Sequence, residues 1–532
     1  MRSGARLVGT TPLSDAPGLR RTMARIHGWM GLLAGWILLP MFLTGTLSYF
    51  RPEITRWMQP ELRVEAVAPD RAAAAAAAHL AAAGHGDDAW TIFLPSPRDP
   101  MVHAFARPHG KPGTKAKSGK PARQTLDPTT GVPVVTRATG GGELLTDFHY
   151  ALQLPKPWGE WIAGACAIAM LAAIISGVIT HRRIFADFFT MRWRKGQRSW
   201  LDAHNLAAVL GLPYHLFITY TGLITLAGLY MPWPVRANFA TPAAYAAKAF
   251  PDDVVATRTG RAAAPAPLDH IVRDAQRRWG GTPASSVSIR YPGDAGSVVT
   301  VVAASGSRFA ARGSTLSYSG TSGRLIARGA EPGAGVALST GLFGLHVGYF
   351  ATAPVRCLLF LLGLSGTAMV GTGLILWSVK RGRTLGHFGH RIVERLNIAA
   401  IACFPAGVAA YLLANRLIPA DLPGRATGET WALFGTVAVL ALGSLALPVR
   451  RAWLLTLGAG AALSAGVAVA DVVTVGWPRN GLFAAVDLIA LTVASAAALA
   501  AWRVTRSAAS APRRRSANPG APAGTRGAHV VG

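Results

Sequence analysis

Four histidines recur at matching positions in two successive copies of one sequence pattern. His27 and His204 precede a Thr-Gly pair by the same interval. His149 precedes a Ser-Gly pair, and His346 a Thr-Gly pair, by intervals that differ by a single position. Opposed neutral imidazoles are what a six-coordinate haem b iron requires as ligands. The spacing therefore predicts two haem sites, one held by His27 and His204 and the other by His149 and His346.

The composition around these histidines is that of membrane helices. Of the 532 residues, 51% are hydrophobic and 15% are charged, against about 25% charged in soluble proteins. The net charge of +28 comes from short basic clusters beside apolar runs, which is typical of topology signals and argues against nucleic acid as a partner. The three cysteines have no CxxC spacing, so thiolate-ligated clusters are not expected. We therefore expect a mainly α, polytopic membrane protein with the lipid bilayer as its surroundings.

Eight apolar segments are long enough to cross a bilayer, which takes roughly 20 helical residues. The predicted spans are 28–50, 160–180, 206–230, 355–378 and four further helices within 397–503. Loops rich in Lys and Arg place both termini in the cytoplasm. The predicted cytoplasmic parts are the N-terminus 1–27, the loops 181–205 and 379–396, and a disordered basic tail at 504–532. The long segments 51–158 and 231–354 then face outwards.

Each outward segment has the pattern of a small α+β domain. A helix is predicted at the Ala-rich stretch 72–83 in the first segment and at "LDHIVRDAQRRWG" in the second. Thr-rich, alternating stretches punctuated by Gly, such as "STLSYSGTSGRLIA", indicate hairpins.

The order of span, outer domain, histidine and span occurs twice in the same orientation. The first part of the chain is therefore an internal parallel duplication of a two-helix unit. Parallel repeats are related by a pseudo-two-fold axis along the membrane normal. Such an axis brings His27 towards His204 at one face, and His149 towards His346 at the other.

His215 has no counterpart in the other copy, because Leu38 occupies the matching position. It lies deeper in the apolar segment than His204 does, and an ionisable residue inside a span is a functional candidate. A hydrogen bond, packing between haems, proton transfer and service as a replacement ligand are all open for it.

The basic loop after the second predicted span begins with another candidate histidine. His181 falls opposite Trp377 when the copies are superposed, and it is a weaker ligand candidate. Arg182 and Arg183 follow it and could pair with haem propionates. The positive-inside rule accounts for these two arginines equally well.

The chain resembles the PepSY-associated transmembrane helix family of bacterial inner-membrane proteins over about residues 20–380. The resemblance is carried in order by "RIHGWMGLLAGW", "FHYALQLP", "SWLDAHN", "LPYHLFITYTGL" and "LHVGYF". It implies two periplasmic PepSY-like domains and a likeness to di-haem ferric-siderophore reductases, which use two haem b groups to reduce imported iron. The family motifs carry onto His27, His149, His204 and His346 as haem ligands.

The last third of the chain departs from relatives that carry a fused reductase domain. No nucleotide fingerprint occurs in it, so no flavin or nicotinamide site is expected in this chain. The electron donor is then a membrane quinol or a separate reductase, and no residue is assigned a catalytic role. For residues 397–503 we favour a scaffold over a quinone site or a docking surface.

Two other functions compete with the reductase hypothesis. PepSY domains are associated with protease inhibition, so the chain could be a non-catalytic module that binds periplasmic peptides. A transporter, including an iron-related one, would suit parallel repeats. The sequence lacks the broken helices with intramembrane carboxylates that favour transport.

Overall fold

The computed structural model describes eleven stretches of the chain. They are residues 17–63, 65–83, 87–108, 123–181, 191–193, 195–249, 254–305, 313–331, 333–381, 388–476 and 480–509. Most of the predicted basic tail, from residue 510 onwards, lies outside them.

Helices make up most of the described chain. They are α1 (Pro17–Ser48), α2 (Arg51–Met58), α3 (Pro69–Ala83), α4 (Gly141–Ala151), α5 (Trp158–Thr180), α6 (Gln197–Leu210), α7 (Leu212–Thr225), α8 (Ala227–Tyr230), α9 (Trp233–Asn238), α10 (Pro242–Ala249), α11 (Leu268–Arg278), α12 (Ala334–Val347), α13 (Ala353–Arg381), α14 (Phe388–Ile398), α15 (Phe404–Leu417), α16 (Arg425–Leu445), α17 (Val449–Val475) and α18 (Gly481–Ala509). A π-helical turn, Ala399–Cys403, joins α14 to α15.

In the described residues, seven helices are long and apolar enough to cross a membrane, where α14, the π-helical turn and α15 count as one continuous helix. They are α1, α5, α13, α14 continued by α15, α16, α17 and α18. The pair α6 and α7 makes an eighth span if it is counted as one, although the two helices meet at 66°. The prediction of a mainly helical, multi-pass membrane protein with about eight spans is confirmed.

The bend between α6 and α7 lies at the sequence "GLP". Gly211 ends α6, and Pro213 stands in the first turn of α7, where its missing N–H costs nothing. A proline there cannot continue the hydrogen bonding of α6. The predicted span 206–230 is therefore not one helix. It contains the end of α6, which already begins at Gln197, all of α7 and the short α8.

Four spans form a bundle that follows the duplication. Helix α1 packs along α5 and α13, α6 packs on α13, and α7 packs on α5. Buried Leu32, Leu39, Met170 and Val370 fill the space between them. In this bundle α1 and α5 of the first copy take the same relative positions as α6–α7 and α13 of the second.

The two long segments between the spans of each copy each form a helix and strands, as predicted, and their strands join into one sheet. The strands are β1 (Asp87–Phe93), β2 (Val102–Pro108), β3 (Gln124–Leu126), β4 (Ala284–Arg290), β5 (Val298–Ala303), β6 (Thr315–Ser319) and β7 (Leu325–Arg328), in the order β3-β2-β1-β4-β5-β6-β7. β1 and β4, equivalent strands of the two copies, pair antiparallel. Helices α3 and α11 share one buried core with the sheet. The pairing of β1 with β4 covers the strand edge that each half-sheet would otherwise expose.

Candidate functional site

The inner histidine pair, defined as His27 of α1 and His204 of α6, lies at the end of the bundle away from the sheet. The two ring centres are 6.0 Å apart, and the ring planes meet at 72°. His27 Nδ1 donates to the carbonyl of Ala173 at 2.8 Å. His204 Nδ1 donates to the carbonyl of Met369, also at 2.8 Å. A proton held on Nδ1 leaves the Nε2 lone pair free for a metal.

The outer histidine pair, His149 of α4 and His346 of α12, lies at the end of the bundle nearer the sheet. Its ring centres are 6.1 Å apart, and the planes meet at 23°. His149 Nδ1 donates to the carbonyl of Met41 at 2.8 Å. His346 Nδ1 lies 3.1 Å from the Thr221 hydroxyl oxygen, within hydrogen-bond distance. Both predicted pairings are thus present in the structure.

A helix glycine faces each of the four rings. A Cβ built on Gly177 would lie 3.0 Å from His27 Cε1, and one built on Gly373 would lie 3.1 Å from His204 Cε1. The corresponding distances are 2.6 Å from Gly45 to His149 and 2.9 Å from Gly222 to His346. These are the glycines of the four Thr-Gly and Ser-Gly pairs. Their missing side chains make room for the imidazoles.

The two pairs fit a metal that takes two axial protein ligands. Two imidazoles that bind one metal from opposite sides, at about 2 Å from each nitrogen, have ring centres about 6 Å apart. None of the described residues hydrogen-bonds to Nε2 of these four histidines. In the described stretches no group of three or more His, Cys, Asp or Glu side chains could hold a bare ion. Haem needs only the two axial ligands, because its ring supplies the rest.

A cavity of about 360 Å³ contains the inner pair. Its wall is largely aliphatic, with Leu38 and Met170 among the lining residues. Lys380 and Arg381, in the last turn of α13, line its mouth. An apolar slot with cationic groups at the opening suits a flat ring that carries carboxylates at one edge.

The structure separates the weaker candidates from the two pairs. His181 lines the mouth of the cavity, and its Nε2 lies 3.2 Å from the Asn205 amide nitrogen. Its ring is not opposed to another imidazole in the described residues, so its position gives no support for ligation. Arg182 and Arg183 lie outside the described residues. Lys380 and Arg381 are the cationic residues that the structure brings to this cavity.

His215 is fully buried at the deep end of the same cavity. Its Nε2 lies 3.2 Å from the Ser365 hydroxyl and 3.4 Å from the carbonyl of Leu362. Its Nδ1 is buried without a hydrogen-bond partner among the described residues. The ring meets Phe42 edge to face, with ring centres 6.1 Å apart. His215 therefore forms part of the cavity wall and does not oppose another histidine.

The last four spans contact the elements that carry both histidine pairs. These contacts were not predicted from the sequence. At the inner end, Asn397 accepts from Trp36 Nε1 of α1 at 2.9 Å and donates to Ser378 of α13 at 2.8 Å. At the outer end, the Tyr411 hydroxyl donates to the carbonyl of Gly141 at 2.8 Å, where α4 begins. Polar residues inside apolar spans were the available sequence signal for these contacts.

A buried ionic network extends the outer brace. Arg425 and Glu429 of α16 are paired with fully buried side chains, and Glu429 accepts from Thr139 at 2.6 Å. Arg416 of α15 bonds to Asp471 of α17 at 2.6 Å. Several buried charges therefore hold the loop before α4 against the last four spans, which supports their interpretation as a scaffold.

A joint connects the sheet to the bundle close to the outer pair. Arg98, in the β1–β2 loop, donates to both carboxylate oxygens of Glu53 at 2.8 and 2.7 Å. It also donates to the carbonyl of Tyr49 at 2.7 Å. Burial alone would raise the pKa of the Glu53 carboxyl, but the hydrogen bonds and charge of Arg98 hold that pKa below its usual range. The pair is charged at neutral pH.

A duplicated membrane bundle that carries two histidine pairs and a shared sheet with its two helices defines a multi-pass membrane protein with PepSY-like α+β domains. The profile of the family described as PepSY-associated TM region matches residues 24–380, and the chain belongs to this family. The match covers both copies of the repeat and all four paired histidines. Comparison with curated proteins finds no match.

Proposed function

We propose that the protein is a di-haem b oxidoreductase of the bacterial inner membrane, with both termini in the cytoplasm. His27 and His204 would hold one haem, and His149 and His346 the other. The acceptor would be periplasmic ferric iron in a siderophore, whose reduction weakens chelation and releases the metal for uptake. The observation that carries the proposal is the presence of two opposed imidazole pairs, at two depths of one membrane bundle.

Haem iron cycles between ferric and ferrous states and so supplies one-electron transfer. The chain fixes the ligands for it, because each Nδ1 hydrogen bond holds the ring's orientation and its tautomer. Along α1, His27 and Met41, whose carbonyl binds His149, are separated by a rise of roughly 21 Å. The two pairs would therefore hold two redox centres at depths that differ by most of the thickness of a bilayer core.

The immediate donor would be a membrane quinol or a separate reductase. The residues that match the family model, 24–380, form the four-span bundle and the sheet, and they include both histidine pairs. Electrons would enter at the inner pair, whose cavity opens at the end opposite the sheet, and leave at the outer pair, next to the sheet.

The test of this proposal is a reduced-minus-oxidised spectrum with haem quantification on the purified full chain. We expect b-type absorption and two haems per chain. Each of H204A and H346A should lose about one haem, because a single remaining imidazole holds the group less tightly. H270A is the matched control, because the His270 side chain is 69% exposed on the sheet domain.

A colourless wild-type protein from haem-replete cells would overturn the proposal. It would favour a non-catalytic peptide-binding protein, in which the four histidines are dispensable. For the substrate, the pre-reduced protein should be reoxidised by a ferric siderophore and not by the gallium-loaded chelator, which cannot accept an electron.

A further inference from the structure

We propose that Arg356 binds a carboxylate side chain of the outer haem. The inference rests on the proposed function, since it concerns a cofactor held by His149 and His346. It starts from a guanidinium group at the end of the bundle nearer the sheet, whose charge and donors are only partly met by the described residues.

Arg356 lies in the first turn of α13, and its side chain is 12% exposed. Its Nε is buried and has no hydrogen-bond partner among the described residues. Its Nη1 lies 3.6 Å from a carboxylate oxygen of Glu53, which is too far for a hydrogen bond. Leaving the donors of a buried charged group unpaired is costly, so we expect a further acceptor at this position.

Glu53 does not fill this role, because Arg98 already occupies it. Arg98 donates to both of its carboxylate oxygens, at 2.8 and 2.7 Å. Two guanidinium groups thus share one carboxylate, which leaves one positive charge of this cluster without a counter-charge. Arg51, the neighbouring basic residue on α2, has its own partner in Glu143 at 3.3 Å. The cluster can therefore accept one more negatively charged group.

The level of Arg356 along the bundle suits a group bound at the outer histidine pair. Further along α13, Gly363 packs against the side chain of Thr46. Thr46 follows Gly45, the glycine that faces His149. From Gly363 back to Arg356 the helix rises by roughly 10 Å towards the sheet. Arg356 therefore lies beyond the outer pair by a distance that the rim of a haem and its side chains can span.

Arg356 also lies on the side of α13 that meets the helix of His346. Leu359, three residues later and hence on the same face, has its Cδ1 3.6 Å from a Cβ built on Gly348. Gly348 caps the C-terminus of α12, the helix that ends just after His346. The guanidinium group is thus about one helical turn from the end of the helix that presents this ring.

The carboxylate edge of a haem at the outer pair should face this end of the bundle. Towards the middle of the membrane the bundle core is apolar, with Leu38, Leu39 and Val370 buried in it. Charged groups are costly at that depth. The carboxylates would therefore point away from the middle of the membrane, towards Arg356.

The inner pair shows the same arrangement at the other end of α13. Lys380 lines the mouth of the inner cavity. It follows Gly373, the glycine that faces His204, by the same interval by which Arg356 precedes Gly363. A single helix thus places a cationic side chain beyond each histidine pair, and a charge-assisted hydrogen bond to a carboxylate is available at both ends.

Haem-release kinetics of the full-length protein test the inference, with natural haem and with its dimethyl ester, which carries no carboxylate charge. The outer haem is identified as the release phase that is missing in H346A. R356Q should release natural haem from this site about tenfold faster than the wild type, because a charge-assisted hydrogen bond is lost. With the ester, R356Q and the wild type should release at the same rate.

Two further variants separate charge from packing. R356K keeps the charge at this position, so its release of natural haem should be slower than that of R356Q. R277Q makes the same chemical change as R356Q at a side chain that is 72% exposed on α11, and it should release both haems as the wild type does.

A haem-loaded R356Q that releases natural haem at the wild-type rate would overturn this inference and leave the proposed function intact, whereas a haem-free wild type would overturn both. Equal acceleration with natural haem and with the ester would also overturn it, because Arg356 would then support the fold and not a carboxylate. The same holds if R356Q changes only the rate at which a ferric siderophore reoxidises the protein, since the acceptor would then supply the anionic group. Should R356Q fail to accumulate, the wild type must release the ester about tenfold faster than natural haem at the outer site, and equal rates would contradict the inference.

Discussion

At the scale of single residues, each paired histidine is held at two points: a hydrogen bond from Nδ1 and contact with a helix glycine. The glycine contact sets how close the ring lies to the neighbouring helix. The hydrogen bond sets which nitrogen is free. Both are needed to place Nε2 opposite the partner ring, so the glycines belong to the site as much as the histidines.

Gly45 offers the sharpest test of the glycine contact. A Cβ there would lie 2.6 Å from both Cε1 and Nδ1 of His149, so G45A must displace the ring or the helix, at a cost of about 1–3 kcal/mol. We expect the outer haem to be lost or loosened while the inner haem stays. Haem quantification and the visible spectrum measure this.

The control is G435A on α16, where a Cβ would meet nothing within 4 Å. This variant should keep both haems. Equal haem content in G45A and G435A would show that the contact with His149 is not needed.

The sequence predicted which histidines lie next to each other but not what surrounds them, and their role as haem ligands stays a prediction. Four histidines at matching intervals in two copies sufficed to pair His27 with His204 and His149 with His346. The position of His215 in the cavity wall could not be derived, because it depends on the bend at Gly211 and on side chains from α13. His204 and His215 lie on two helices that meet at 66°, so their separation along the chain does not give their difference in depth.

At the scale of elements, the last four spans act on the site through the loop before α4. Arg425 and Glu429 are both fully buried, and removing one partner of a buried ion pair leaves the other charge buried and uncompensated. The sequence showed these charges inside an apolar region, but it could not show that they contact the loop before α4. Their partners, such as Thr139, come from the first half of the chain.

E429Q tests this brace. The substitution leaves the Arg425 guanidinium buried without its counter-charge, which costs about 3–5 kcal/mol. We expect a lower unfolding temperature in detergent and preferential loss of the outer haem. E143Q makes the same chemical change at a side chain that is 60% exposed on α4, and it should alter stability by less than about 1 kcal/mol.

If E429Q and E143Q have the same unfolding temperature and haem content, the buried network does not brace the outer pair. Replacing both Arg425 and Glu429 by apolar residues should recover much of the lost stability, because no charge is then left unpaired.

At the scale of the whole molecule, the sheet and the bundle meet through Arg98 and Glu53. The lowered pKa of Glu53 means that this joint contributes stability above the carboxyl's ordinary pKa, near 4.5. That contribution is lost as the pH falls through the lower pKa of the folded state. The joint should therefore hold throughout the physiological range.

R98A should loosen the sheet from the bundle without removing haem. Three hydrogen bonds from one guanidinium are lost, and hydrogen exchange should rise in α2 and in the β1–β2 loop at pH 7. R277A, at a side chain that is 72% exposed on α11, is the control and should leave exchange there unchanged. If exchange in α2 is the same in R98A and the wild type, Arg98 does not fasten the sheet.

Whole-molecule architecture was predicted in part. The apolar segments and the duplication gave the membrane class and the number of spans. The joining of strands from both copies into a single sheet was not foreseen, because strand pairing between copies depends on edges that local patterns do not identify. Val287 and Ile92 belong to one core, although they come from different segments.

The pairing of β1 with β4 also constrains how the protein is made. β1 ends at Phe93 and β4 begins only at Ala284, and chains are synthesised at about 5–20 residues per second. For roughly 10–40 s, then, β1 has an open edge while two further membrane segments are inserted. An unpaired strand edge invites association with other chains. Biogenesis of this protein is therefore most vulnerable to aggregation before β4 has been made.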